Sequence, residues 1–132
     1  MIKALKVILI VFGALSALVG LAHIFVPEQL QAMMNMGDMS EACEPALYCM
    51  AMVGVSFVAG GVYLIIAGTK DIIRHIYWVQ FALLWAILAI AGSVYSVIMG
   101  YVTFNQVMMP VIVDGVFFIL LLAFYPWGRT GD

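Results

Sequence analysis

The chain alternates between long apolar runs and short polar stretches. Four apolar runs cover residues 4–26, 46–68, 72–101 and 106–125. Each is long enough to form a helix that crosses a bilayer, which takes about 20 residues. None alternates with the period of two that a membrane strand requires. The pattern predicts a single all-α domain, an integral membrane bundle of four transmembrane helices.

Composition and charge support this class. Hydrophobic residues make up 67% of the 132 residues and charged residues 9%, whereas soluble domains are roughly half apolar and a quarter charged. The net charge of -2 is not gathered into a basic face, which excludes a nucleic-acid partner and leaves the lipid bilayer as the expected surrounding. The start, "MIKALKVILI", also suits a signal peptide, but its apolar run continues to Val26, which favours a retained helix.

The basic residues predict the orientation. All five lie around the start of the first run, around the connection of the second and third, or after the fourth: Lys3, Lys6, Lys70, Arg74 and Arg129. Because cytoplasmic loops carry the excess of Lys and Arg, both termini should be cytoplasmic in a multi-pass plasma-membrane protein.

The long first connection, "PEQLQAMMNMGDMSEACEP", lies on the outer side in this topology. Pro27 suits a first helical position, Glu28 favours the positive end of a helix dipole, and Leu30 and Met33 fall on one face. A short interfacial helix is expected here.

The same connection offers soft metal ligands. The thioethers of Met33, Met36 and Met39 are a type of ligand that selects Cu(I). No histidine cluster accompanies them, and methionine readily fills irregular apolar gaps. Packing is therefore the favoured role, copper handling is a minority hypothesis, and the sequence indicates no particular cofactor.

Cys43 and Cys49 form a candidate disulfide on the outer side, where such bonds persist. Six positions apart in one helix they would be separated by about 9 Å along its axis, too far to bond. A disulfide therefore requires an interruption at Pro45. A structural disulfide and two free thiols both stay open, whereas the spacing is not that of a redox-active Cys-x-x-Cys pair.

Asp114 is the single charge in the fourth run. It lies about 12 Å from the outer end of that helix, where a carboxylate costs at least about 2.5 kcal/mol. We expect it to face the bundle and to be protonated or hydrogen-bonded, in a ligand-binding, proton-coupling or purely structural role. The residues at similar depth in the other helices would form a polar layer with it: Ser16 or Ala17, Ser56, Ser93 and Tyr95.

Two further features have an ordinary interpretation beside a functional one. His23 at the outer end of the first helix is a weak ligand-site candidate, since interfacial histidines are common. Gly92, Ser96 and Gly100 recur every four residues in the third helix, a spacing that allows helices to approach closely. Packing within the bundle is the favoured interpretation, and a homo-oligomer interface is the alternative.

Three stretches carry a resemblance to a known group: "GLAHIFVPEQLQAMM", "AGGVYLIIAGTKD" and "DGVFFILLLAFYP". They resemble the DoxX-like small four-helix bacterial membrane proteins, in which a Pro-Glu-x-Leu loop follows the first helix. Some members are associated with quinol-oxidising or other membrane redox systems, so the resemblance implies an accessory subunit of a membrane complex. The chain lacks a pair of intramembrane histidines spaced for haem, which argues against a direct redox role.

The leading functional hypothesis is a non-enzymatic membrane subunit or a binder of a small hydrophobic ligand. A proton-coupled transporter that uses Asp114 is the second. A membrane enzyme is the weakest, because no nucleophile with a neighbouring base, metal-ligand spacing or phosphate loop is present.

Overall fold

A computed structural model describes residues 1–33 and 44–127. This part of the chain consists of helices and turns, without strands, as the sequence predicts. The helices are α1 (Ile2–Phe25), α2 (Pro27–Met33), α3 (Glu44–Thr69), α4 (Tyr77–Ile98) and α5 (Phe104–Ala123). The four long ones are all apolar and long enough to cross a membrane.

Helices α1 and α3 pack antiparallel with their backbones almost in contact. A Cβ atom placed on Gly20 of α1 would lie 2.6 Å from the carbonyl oxygen of Gly54 of α3. Gly13 and Gly61 face each other in the same way further along the pair. Small residues allow such an approach, and the contact gives the packing energy that apolar helices in lipid do not obtain from hydrophobic burial.

The turn between α3 and α4 is longer than the sequence predicts. The third apolar run begins at residue 72, but residues 72–76 form turns and α4 starts only at Tyr77. The side chain of Ile72 is buried at 2% exposure, and the Asp71 carboxylate accepts a hydrogen bond from the Ile73 N–H at 3.1 Å. Ile72 is apolar because it anchors this turn in the core.

Helix α4 ends earlier than predicted, and the end involves Gly100. This residue has a φ of +73°, a conformation that glycine adopts readily. The Tyr101 N–H donates to the Ser96 carbonyl at 3.0 Å, and the Gly100 N–H donates to the Val97 carbonyl at 3.0 Å. The glycine therefore terminates the helix.

The two glycines of the predicted small-residue seam have no close neighbour among the described residues. A Cβ atom on Gly92 or on Gly100 would meet nothing within 4 Å, and Gly100 lies beyond the helix. The Ser96 hydroxyl donates to the Gly92 carbonyl of its own helix at 2.9 Å. For the two glycines, the favoured interpretation of close packing inside the bundle is wrong within this part of the chain, where the close glycine contacts belong to α1 and α3.

The hydrophobic core lies toward the end of the bundle that carries the N-terminus. Fully buried residues of α1, α3 and α4 meet there, including Leu5, Leu9, Leu64 and Val79. Leu121 near the end of α5 completes the cluster. Toward the opposite end, the helices enclose a cavity.

Candidate functional site

A cavity of about 470 Å³ lies between α1 and α5, with contributions from α2 and α3. Its apolar lining includes Phe12, Leu15, Val19, Phe57, Met109 and Val113. Such a volume, with mostly apolar walls, is typical of sites for small molecules.

The floor of the cavity is formed where α1 contacts α5. The rings of Phe12 and Phe117 stack with their centroids 4.4 Å apart and an angle of 18° between their planes. Both rings belong to the hydrophobic core, and Phe12 in addition lines the cavity. The stack therefore separates the packed part of the bundle from the open part.

Two polar side chains lie at the same level in the depth of the cavity. Counted at 1.5 Å per residue, Ser16 is about 14 Å from the end of α1 at Phe25, and Asp114 is about 15 Å from the start of α5 at Phe104. Ser16 is 7% exposed, and Asp114 is of intermediate exposure. Within the described part of the chain, the Asp114 carboxyl has no hydrogen-bond or ion-pair partner. The acid therefore faces the cavity with its hydrogen-bonding capacity unused.

The mouth of the cavity carries further polar groups, Asn105 and Gln106 at the start of α5 and His23 near the end of α1. The Gln106 side-chain oxygen accepts a hydrogen bond from the Thr103 N–H at 2.7 Å, which caps the helix. Its amide is thereby held at the entrance.

His23 has a defined tautomer. Its Nδ1 atom lies 2.8 Å from the Val19 carbonyl oxygen, and because a carbonyl can only accept, Nδ1 must carry the hydrogen. In the neutral ring Nε2 is then an acceptor. The imidazole also stacks on Phe57, with ring centroids 5.8 Å apart, which fixes its plane beside the cavity.

The cavity unites Asp114 with His23 and Ser16, but not with the rest of the predicted polar layer. Ser56 and Tyr95 are exposed on the outside of their helices, and neither these two nor Ser93 lines the cavity. The Ser56 hydroxyl donates to the Met52 carbonyl of its own helix at 3.0 Å. The polar layer was predicted from the distance of each residue from the outer end of its helix. That distance does not say which face of the helix the residue lies on.

Several lining residues were not predicted, although the sequence contains a signal for them. Gln106, Pro110 and Asp114 follow one another at intervals of four residues, so they lie on one face of α5. Asn105, Met109 and Val113 repeat the same spacing beside them. The face that carries the buried acid thus identifies the α5 wall of the cavity.

Two predictions about the outer connection fall largely outside the described residues. Met36, Met39 and Cys43 lie there, and the copper hypothesis therefore stays a prediction. Met33 lines the mouth of the cavity and is 83% exposed. Cys49 is a free, exposed thiol in a helix that runs without interruption from Glu44 to Thr69.

The chain matches no known protein-family model, and neither characterised proteins nor solved structures show significant similarity to it.

Proposed function

We propose that the chain is a multi-pass membrane protein whose cavity binds a small hydrophobic ligand from the outer side of the plasma membrane. The length and apolar character of the four long helices support the insertion. Many large apolar side chains of these helices are exposed, including Leu18, Leu88, Ile98 and Ile119. Exposure of this kind suits contact with lipid and would be costly in water.

The orientation is supported by charge, and aromatic residues at the same end of the bundle suit a membrane interface. Among the described residues, every Lys and Arg lies at the end opposite the cavity. Tyr63 stacks on Trp78 at that end, with ring centroids 5.6 Å apart, and Tyr125 packs against Trp127. Aromatic belts and cytoplasmic positive charge are both typical of a membrane interface. In this orientation the cavity opens on the outer side, and α2 lies in the interface.

The ligand-binding function depends on one observation, a cavity with a carboxyl at its deep end that has no partner among the described residues. Its apolar walls would take up a hydrophobic body by excluding water, and its few polar groups would orient one end of the molecule. A carboxyl that served only to hold the helices together would be expected to hydrogen-bond to a neighbouring helix.

A pair of identical substitutions tests this function. Ser16→Leu places an apolar side chain inside the cavity, whereas Ser56→Leu places the same side chain on the exposed face of α3. Native mass spectrometry from mild detergent should show a bound small molecule on the wild type and on Ser56→Leu, and none on Ser16→Leu.

A second pair of substitutions distinguishes loss of the ligand from misfolding. Val113 lines the cavity and Ile112 beside it is 53% exposed, so Val113→Phe should also lose the molecule and Ile112→Phe should keep it. Size-exclusion profiles should be the same for all four variants. Equal retention by cavity and surface variants would contradict the proposal, because it would show adhering lipid or detergent.

A further inference from the structure

We propose that the ligand is an amphiphilic amine whose ammonium group pairs with Asp114 while its apolar body fills the cavity. This inference rests on the proposed function and specifies the chemical class of the ligand.

The first argument is the charge of the site. Among the described residues, Asp114 is the only acid that lines the cavity, no Lys or Arg lines it, and His23 is its one basic side chain. An anionic ligand would therefore bring a second negative charge close to a carboxyl that has no Lys or Arg beside it. A cation supplies the partner that the carboxyl lacks within the described part of the chain.

The second argument is that the polar groups of the cavity, apart from the two side-chain amides of Asn105 and Gln106 at its mouth, are mainly hydrogen-bond acceptors. The carboxylate oxygens accept hydrogen bonds, and so does Nε2 of the neutral His23 ring, because Nδ1 donates to Val19. The Ser16 hydroxyl can accept as well. An ammonium group has three hydrogens and no acceptor, so it complements a site that offers mainly acceptors.

The third argument is the nature of the walls. Phe12 and Phe57 contribute aromatic rings, and the remaining contacts are mainly aliphatic or thioether side chains. Aromatic faces attract cations and pack well against apolar groups. A molecule with one charged end and an aryl or alkyl body fits both properties, whereas a fully hydrophilic cation would make no apolar contacts with the walls.

Three probes of closely similar shape test the class: phenylbutylammonium, phenylbutanol and phenylbutanoate. Each is titrated calorimetrically into the full chain in nanodiscs of zwitterionic lipid, with empty nanodiscs as the blank. We expect the ammonium probe to bind at least about tenfold more tightly than the alcohol, as expected for one charge-assisted hydrogen bond. The carboxylate probe should bind more weakly than either.

Variants attribute the preference to one residue. Asp114→Asn should bind the ammonium and the alcohol with similar affinities, so that the preference is lost, whereas Asp114→Glu should retain a preference. Asp71→Asn is the matched control, since Asp71 is an exposed acid in the turn between α3 and α4. This variant should bind all three probes with the affinities of the wild type.

The outcomes separate the two proposals. If no probe binds above the blank, the cavity is not a ligand site and both proposals fail. If the alcohol binds as tightly as the ammonium, or the carboxylate binds best, the cavity binds ligands and the amine class is wrong. A preference for the ammonium that survives in Asp114→Asn would also overturn the assignment.

Discussion

Gly13 of α1 lies directly against Gly61 of α3, so that a Cβ atom on Gly13 would be 2.5 Å from the Gly61 carbonyl oxygen. The neighbouring atom belongs to the backbone and cannot rotate away. Any larger residue must therefore push the two helices apart.

Gly13→Ala should destabilise the bundle by about 1–3 kcal/mol, the usual cost of overpacking. Gly92→Ala is the control, because it has open space around the new methyl group and alanine favours a helix by about 1 kcal/mol over glycine. Unfolding in mixed micelles gives the free energy of unfolding of both variants. Equal stability of the two variants would contradict the close contact of α1 and α3.

The proposed cytoplasmic location of the termini can be tested with reporter fusions after Asp132. Green fluorescent protein should fluoresce there and alkaline phosphatase should be inactive, because the former folds in the cytoplasm and the latter requires the outside. The reverse pattern would place the cavity on the cytoplasmic side.

The free thiol of Cys49 predicts a labelling result. A maleimide should modify Cys49 in mild detergent without reductant, both in the wild type and in Cys43→Ser, where no other cysteine remains. Mass spectrometry of the peptide that carries Cys49 measures the extent. Labelling of the wild type only after reduction would instead establish the disulfide with Cys43.

Asp114→Leu should leave the free energy of unfolding unchanged or raise it, because the carboxyl has no partner among the described residues that the substitution would leave unsatisfied. Tyr125→Phe gives the contrast: the Gln80 amide donates to the Tyr125 hydroxyl at 3.1 Å, so this variant should lose about 0.5–1.5 kcal/mol. Steric-trapping or denaturant unfolding compares them. A loss in Asp114→Leu as large as in Tyr125→Phe would point to a structural role for the acid.

The existence of the long helices could be predicted, since length and hydropathy are enough to identify an apolar run. The residues at which these helices begin and end were predicted less accurately. Ile72 illustrates the reason: a residue buried in a turn and a residue inside a helix are equally apolar, and only the fold distinguishes them.

The position of Asp114 in the sequence indicated a polar site. Most of the residues predicted to form a polar layer with it do not line the cavity. Ser56 and Ser16 occur at comparable depth, but Ser16 faces the cavity and Ser56 faces outward. A helix that is apolar on all sides has little amphipathic character from which its inner face could be read. Gly60, four residues after Ser56, lies on an inner face of α3, with the ring of Trp85 over it.

The division of the bundle at the Phe12–Phe117 stack has a consequence for how this chain can evolve. On one side of the stack, a substitution at Leu9 or Leu121 disturbs side chains with no exposed surface, so it acts first on the stability of the fold. On the other side, Met109 and Val113 are exposed and can be exchanged with little effect on that core. In the proposed ligand-binding role, new specificities can therefore arise at one end of the molecule while the inherited architecture is maintained at the other.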